Sequence, residues 1–239
     1  MLLAHIRQSD FAEQSVQTHL DEVASLARQY GEVVDLGAHS ELAGLLHDMG
    51  KFTQHFTIYL KNAVFKQEIA MKKIDHSTAG AKYLYDLYYG KDHIQNYVVE
   101  TVGMAILSHH AGLQNFVQPD LEPSDYLRRV QNKDLPYYTE VVANFESIAG
   151  NVDKVQHLVE EAKNEFRRFM KKVAVITNAE GLRFVYLNLM QKLVFSCLLD
   201  ADRTNTRDFE ENEVSLPSNY ECVFTKGYRL GGGLSKDKQ

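Results

Sequence analysis

The chain has 239 residues, 44% hydrophobic and 24% charged, which is typical of a globular protein with one large or two small domains. Its two cysteines form no CxxC pair, which argues against a disulfide framework and against a thiolate zinc site. The formal net charge of −6 argues against a protein that holds nucleic acid tightly by itself, but not against a nuclease whose strand is delivered by a partner.

The first residues, "MLLAHIRQSDFAEQ", become polar too early for a signal peptide. No uninterrupted apolar run along the chain approaches the ~20 residues that a membrane-spanning helix needs. We therefore expect a cytoplasmic protein that does not associate with a membrane.

Helical periodicity covers most of the chain. The segments, in chain order, are 15–31, 40–50, 77–90, 94–110, 138–150, 152–176 and 181–204. We predict that Gly31 ends the first segment, and that Ser40 caps the second, which ends at Gly50. Convincing strand alternation does not recur along the sequence, so we expect an all-α domain of about eight to ten helices.

The C-terminal residues, "YRLGGGLSKDKQ", are rich in Gly, Ser and Lys and indicate a linker or a flexible end. We therefore predict one domain over residues 1–225 and a flexible C-terminal tail or linker over 226–239. If this tail is a linker, the chain is one module of a longer protein.

Five of the ten histidines lie where side chains from several helices can meet in a bundle core. They are His19, His47, His76, His109 and His110, and Asp48 and an aspartate of "LLDADR" would join them. A single histidine or a His-Asp dipeptide is often only a hydrogen-bonded core feature. The adjacent His109 and His110 are more informative, because two imidazoles after an apolar run are costly to desolvate without partners such as a metal ion.

The joint pattern is more specific than its parts. In chain order it reads "QTHLDEVASLA", "LLHDMGKF", "DHSTAGAKYL", "LSHHAGL" and "LLDADRTNT". It resembles the HD superfamily of metal-dependent phosphohydrolases, and more closely the HD nuclease domain of the CRISPR-associated helicase-nuclease of type I systems. The resemblance spans roughly residues 4–207, although 114–180 carries no matching motif.

The resemblance implies an all-α, HD-superfamily helical domain with one or two divalent ions in the bundle core. The metals would be manganese, iron, nickel or cobalt, with magnesium sometimes supporting activity. The first metal would be held by His19, His47, Asp48 and Asp202, and the second by Asp48, His76, His109 and His110. Asp48 would bridge them, because a carboxylate can ligate two cations.

Asp202 is preferred to Asp200 because "ADR" aligns with the "AD" that closes the HD pattern. Asp200 lies about 200° away round a helix, and its alternative role is a helix-end hydrogen bond. Lys51, the last residue of "HDxGK", would contact the scissile phosphate or orient the surroundings of the water. A solvated lysine or an ion pair is an equally simple interpretation of Lys51.

The resemblance also implies partners: single-stranded DNA, a helicase domain on the same or a separate chain, and an RNA-guided CRISPR surveillance complex. A phosphohydrolase acting on nucleotides or cyclic dinucleotides is the alternative, and a helical scaffold without activity is a third interpretation. His55 is expected to be structural or to lie at the rim of the site, and Tyr137 and Tyr138 either stack bases or simply pack. The remaining histidines, which lack a suitable motif context, are His5, His39, His93 and His157.

Overall fold

The computed structural model describes residues 1–65, 75–113 and 124–212. The elements are β1 Leu3–Ile6, β2 Glu13–Ser15, α1 Val16–Glu32, α2 Gly37–Leu46, a 3-10 turn Met49–Lys51, α3 Gln54–Val64, α4 Thr78–Tyr88, α5 His93–Ser108, α6 Asp125–Val130, α7 Tyr138–Glu146, α8 Asn151–Ile176 and α9 Glu180–Glu211. The expected all-α class is confirmed, with nine α-helices in these three ranges. The predicted domain boundary at 225 and the tail 226–239 lie outside the described residues.

A short antiparallel hairpin, β1 paired with β2, precedes the helices. The sequence did not indicate it, because strands of four and three residues are too short for a period of two to stand out. The backbone of Leu3 on β1 also donates to the hydroxyl of Thr57 on α3. The hairpin is thereby held beside the start of α3, close to the "HDMGK" turn.

α1 begins as the sequence predicts, because the Ser15 side chain accepts a hydrogen bond from Thr18 N. The predicted stop at Gly31 is wrong by one residue, since the helix continues to Glu32. Gly31 instead serves packing: a Cβ there would lie 2.5 Å from Ser40 Oγ. Ser40 lies inside α2 and is buried, so the prediction that it caps this helix is wrong.

The N-terminus of α2 is capped by a carboxylate from a helix that is distant in sequence. Glu165 on α8 accepts hydrogen bonds from Ala38 N (2.7 Å), His39 N (3.1 Å) and His39 Nδ1 (2.7 Å). A negative charge at this end of a helix also interacts favourably with the helix dipole. This contact fixes the start of α2, whose last turn leads directly into His47.

The core lies where α1, α2, α5 and α9 pack against one another, with α8 packed against α2 and α5. Fully buried side chains from each helix fill it, including Leu20, Leu45, Val102 and Leu198. The same four helices carry or precede the histidine and aspartate motifs, except the one with His76, which precedes α4. The packing that stabilises the fold therefore also brings those motifs together.

α9 is long and apolar enough, by length and composition, to cross a membrane. A core helix of a globular protein passes the same test, so length and composition alone are weak evidence for a membrane span. The first half of α9 exposes Leu182, Phe184, Val185 and Leu189. Its second half packs into the core and carries Asp202.

Candidate metal centre

The motif residues lie at helix ends and on inward helix faces. His47 is the C-cap of α2 and is followed by Asp48, while His109 is the C-cap of α5 and is followed by His110. His76 precedes α4, and His19 and Asp202 lie within α1 and α9. Among the described residues, the metal-binding atoms form two groups: His19, His47 and Asp202, and Asp48, His76, His109 and His110.

The first group is enclosed. His19 Nε2 lies 3.2 Å from His47 Nε2, and Asp202 Oδ1 lies 3.6 Å from each of these nitrogens. Both imidazoles are fully buried, and the Asp202 side chain is 17% exposed. Asp200 is exposed and lies outside this group, so the structure brings Asp202 rather than Asp200 to the histidines.

The second group is more open. His76 Nε2 and His110 Nε2 lie 2.6 Å apart, and the His110 side chain is 47% exposed. His109 is buried at the bottom of the group. The distances from Asp48 Oδ1 to the ring nitrogens are 3.3 Å for His109, 3.6 Å for His76 and 4.0 Å for His110.

Asp48 lies in the second group and also approaches the first, because its two oxygens face different groups. Oδ1 faces the second group, whereas Oδ2 lies 3.5 Å from His19 Nε2 and 3.4 Å from His47 Nε2. A carboxylate placed in this way can ligate one cation with each oxygen. This is the geometry expected of a bridging ligand.

Hydrogen bonds orient three of the imidazoles. In each, Nδ1 faces an acceptor oxygen and carries a proton, so the neutral ring can offer the lone pair of Nε2 to the centre. The bonds run from His47 to Gly44 O (2.8 Å), from His109 to Ile106 O (2.6 Å) and from His19 to Asn205 Oδ1 (2.7 Å). This tautomer is the one that a metal-binding histidine needs.

Two buried atoms at the centre are left without hydrogen bonds. Among the described residues, neither Asp48 Oδ1 nor His109 Nε2 has a hydrogen-bond partner. Leaving such atoms unpaired is unfavourable, and a shared cation would satisfy both. A donor set of imidazoles and carboxylates suits divalent transition metals, so these residues fit such ions.

The charges of the metal-free centre follow from its geometry. Burial by itself would raise the pKa of Asp48, but Lys51 and His47 outweigh it and hold that pKa well below its usual range. Burial would lower the pKa of His47, but the carboxylates of Asp48 and Asp202 raise it to about 10. At the open side, burial and the neighbouring His109 lower the pKa of His110 to about 4. Metal binding therefore requires the loss of a proton from His47.

Lys51 and Gly50 of "HDMGK" contact the centre in different ways. Lys51 is buried, and its Nζ lies 2.7 Å from Asp48 Oδ2, so in this structure Lys51 forms the ion pair rather than being solvated. Gly50 N donates to His76 O (3.1 Å), and a Cβ at Gly50 would collide with the His76 backbone. The glycine therefore allows the turn to approach and hold the segment that carries His76.

His5 and Asn205 were not predicted from the sequence, yet both contact the first group. The β1 strand places the His5 ring 4.7 Å from the His19 ring, and His5 Nε2 lies 3.4 Å from Lys51 Nζ. Asn205 receives the hydrogen bond of His19 and donates to Glu22 (2.7 Å). Asn205 could have been found, since it lies three residues after Asp202 and therefore on the same helix face.

Arg129, on α6, supports the second group from a segment without a recognised motif. Its guanidinium donates to Ser77 Oγ (2.8 Å) and Thr78 Oγ1 (2.9 Å), which directly follow His76. It also donates to Leu107 O (3.1 Å), two residues before His109. One side chain thus links the two segments that carry the histidines of this group.

Comparison with known proteins agrees with this geometry. The family model described as HD domain matches residues 16–137, just over half of the chain. The chain belongs to the HD domain family. The match includes every residue of the two groups except Asp202, and HD domains are typically metal-dependent hydrolases. No curated protein matches the chain.

Proposed function

We propose that this HD domain is a metal-dependent nuclease that hydrolyses phosphodiester bonds in single-stranded DNA, and that it acts in type I CRISPR interference in the cytoplasm. The observation that carries the proposal is the position of Asp48, whose two oxygens face two separate histidine groups. The motifs "HDMGK", "HSTAGA" and "SHHAGL" favour this activity over hydrolysis of nucleotides or cyclic dinucleotides.

The residues that would hold the metals are His19, His47, Asp48 and Asp202 for the first, and Asp48, His76, His109 and His110 for the second. A pair of cations at such a site supplies an activated water, neutralises the phosphate and assists the leaving oxygen. Manganese, iron, nickel or cobalt suits the imidazole-rich set, and magnesium can support activity. The exposed imidazole of His110 leaves the second group open to a substrate.

Two charged side chains have further roles in this proposal. Asp48 holds both halves of the centre in register, so it is the residue on which the activity depends most. The Lys51 ammonium lies beside the bridging carboxylate and over the Phe56 ring, 5.6 Å from its centroid. We assign it to contact the scissile phosphate or to order the water around it.

The proposed partners follow from the motif resemblance and from the charge. The chain is acidic overall, and among the described residues the basic side chains of Arg168 and Lys172 on α8 both pair with Asp35. A helicase domain on the same or a separate chain would therefore deliver the strand. An RNA-guided surveillance complex would select the target.

Cleavage of circular DNA tests the proposed activity. Single-stranded and duplex circles are incubated with the protein and manganese, nickel, cobalt, iron or magnesium, beside nucleotides and cyclic dinucleotides. We expect transition-metal-dependent cutting of the single-stranded circle, lost on chelation and in Asp48→Ala. Intact DNA together with hydrolysed nucleotides would show instead that the chain is a small-molecule phosphohydrolase.

A further inference from the structure

We propose that the rings of His55 and Tyr137 form a stacking subsite for one unpaired nucleobase beside the metal centre. This inference rests on the proposed action on single-stranded nucleic acid and names a part of the chain that would hold the strand. The two rings are stacked, with centroids 4.7 Å apart and planes inclined by 20°. We call them the His55–Tyr137 platform.

The tyrosine ring of the platform is available for a ligand. Tyr137 is 46% exposed although one face of its ring lies against His55. We place the base on the ring face opposite His55. Stacking on an aromatic face is the main way in which proteins hold unpaired bases without reading their sequence.

The backbone at Tyr137, the residue before α7, is strained. Its φ of 61° and ψ of 7° place it in the left-handed region, which bulky residues rarely adopt and glycine adopts freely. A half-exposed ring also recovers less stability from burial than a core ring does. Strained residues of this kind cluster at functional sites, and a ligand for the ring accounts for a tyrosine here.

Contacts between elements place the platform next to the second metal group. His55 is the second residue of α3, and the ring of its neighbour Phe56 lies 5.4 Å from the ring of His76. α7, which begins after Tyr137, is tied to this region by hydrogen bonds from Asn144 Nδ2 to Phe52 O and from Gln54 N to Glu140, each 2.9 Å. A base on the platform would therefore belong to a nucleotide close to the one at the metals.

The platform also suits the charge of the protein. A chain with a net charge of −6 gains little from long-range attraction of phosphates, whereas stacking does not depend on charge. Bases in a duplex are already stacked and paired, so they are not available to Tyr137. The platform would thus favour single strands over duplex DNA.

Tryptophan fluorescence can test the contact directly, because the chain contains no tryptophan. Tyr137→Trp places the sole fluorescent indole on the platform. Tyr97→Trp is a matched control, since Tyr97 is also exposed (40%) and also stacked on an aromatic ring, that of Phe166. Tyr97 lies on α5, 12 residues before His109, so it is about 18 Å from the second metal group. Each metal-free variant in chelator is titrated with a single-stranded oligonucleotide and with its duplex, while anisotropy of labelled DNA reports binding.

We expect single-stranded DNA to quench the indole of Tyr137→Trp but not that of Tyr97→Trp, and duplex DNA to quench neither. Equal quenching by the duplex, or unchanged emission of Tyr137→Trp while anisotropy shows the strand bound, overturns the platform. The proposed nuclease function is unaffected by that second result. It fails instead if the metal-loaded wild-type protein leaves single-stranded DNA intact.

Kinetics of the metal-loaded enzyme give an independent test. Tyr137→Ala should raise KM for single-stranded DNA about tenfold, the scale of one lost base-stacking contact, with kcat unchanged. Tyr137→Phe keeps the ring and should retain the wild-type KM. We then replace single bases of the substrate by abasic residues. At one position of the strand this should raise the KM of the wild-type enzyme but leave the KM of Tyr137→Ala unchanged. An equal loss in the alanine and phenylalanine variants, or no sensitive position, contradicts the platform.

Discussion

The two groups of metal-binding side chains differ in how they meet solvent. In the first, His19 and His47 are fully buried, and Asp202 is 17% exposed. In the second, His109 is buried, but the His110 side chain is 47% exposed. Closed metal sites retain their ions, whereas catalytic sites keep an open position for water or substrate. Under the proposed function, the first group would therefore anchor a cation and the second would admit the phosphate.

Substituting Asp48 should have the largest effect, because its two carboxylate oxygens face both groups. We expect Asp48→Ala to bind neither metal tightly and to lose activity by at least about 10³-fold, as when a central catalytic residue is removed. Metal analysis after reconstitution with manganese, together with the cleavage assay, measures both effects. Two metals retained per chain would contradict the bridge.

Asp48→Asn is the control for the fold. In the metal-free protein, Asp48→Ala leaves the buried Lys51 beside His47 without its carboxylate, which should lower the free energy of unfolding by about 3 kcal/mol. The amide of Asp48→Asn keeps the shape of the side chain and can accept one hydrogen bond from Lys51. Urea unfolding of both variants separates a folding defect from a loss of metal.

His47→Ala and His110→Ala should each remove one metal, but from different groups. His47 contributes to the enclosed group and His110 to the open one, so each variant should retain one metal per chain, and the double variant should retain none. Activity should fall by more than the about 10–100-fold typical of outer contacts. Loss of both metals from each single variant would mean that the two groups bind as one unit.

Asn205→Ala tests whether the enclosed group depends on its hydrogen bond to His19. Without the acceptor at 2.7 Å, the His19 ring is free to rotate or to change tautomer, and affinity at the first site should fall by about 10–100-fold. Competition with a fluorescent chelator measures the affinity. Asn188→Ala, exposed on the same helix, is the control and should have the wild-type value. Equal affinities of the two variants would show that Asn205 does not orient the ligand.

Arg129→Ala should have the smallest effect and should act on the open group alone. It removes the link between the segments of His76 and His109, so activity should fall about tenfold, the lower end for an outer contact. The neighbouring Arg128 is 71% exposed, and Arg128→Ala should behave as wild type. If Arg129→Ala weakens the first metal as well, the two groups are less independent than their geometry indicates.

Most helices could be predicted because their apolar spacing is local. The N-cap of α2 could not be predicted, because its acceptor is Glu165, 127 residues from Ala38. Ser40 satisfies the local rule for a cap but is buried against Gly31. His5 was set aside for the same reason: its position at the centre depends on the β1–β2 hairpin, which the pattern is too short to reveal.

By itself, the sequence determined the helical class and the order of the histidine and aspartate motifs, because periodicity and dipeptides are properties of neighbouring residues. Only the tertiary structure decided which atoms face which group, that the Asp48 oxygens point to different groups, and that Asn205 and Arg129 hold the ligands in place. Those facts depend on how α1, α2, α5 and α9 pack, and packing joins residues that are far apart along the chain. The choice between Asp200 and Asp202 needed both the sequence and the tertiary structure. Helical spacing allowed only one of them to face inward, and the packing of α9 placed Asp202 beside His19 and His47.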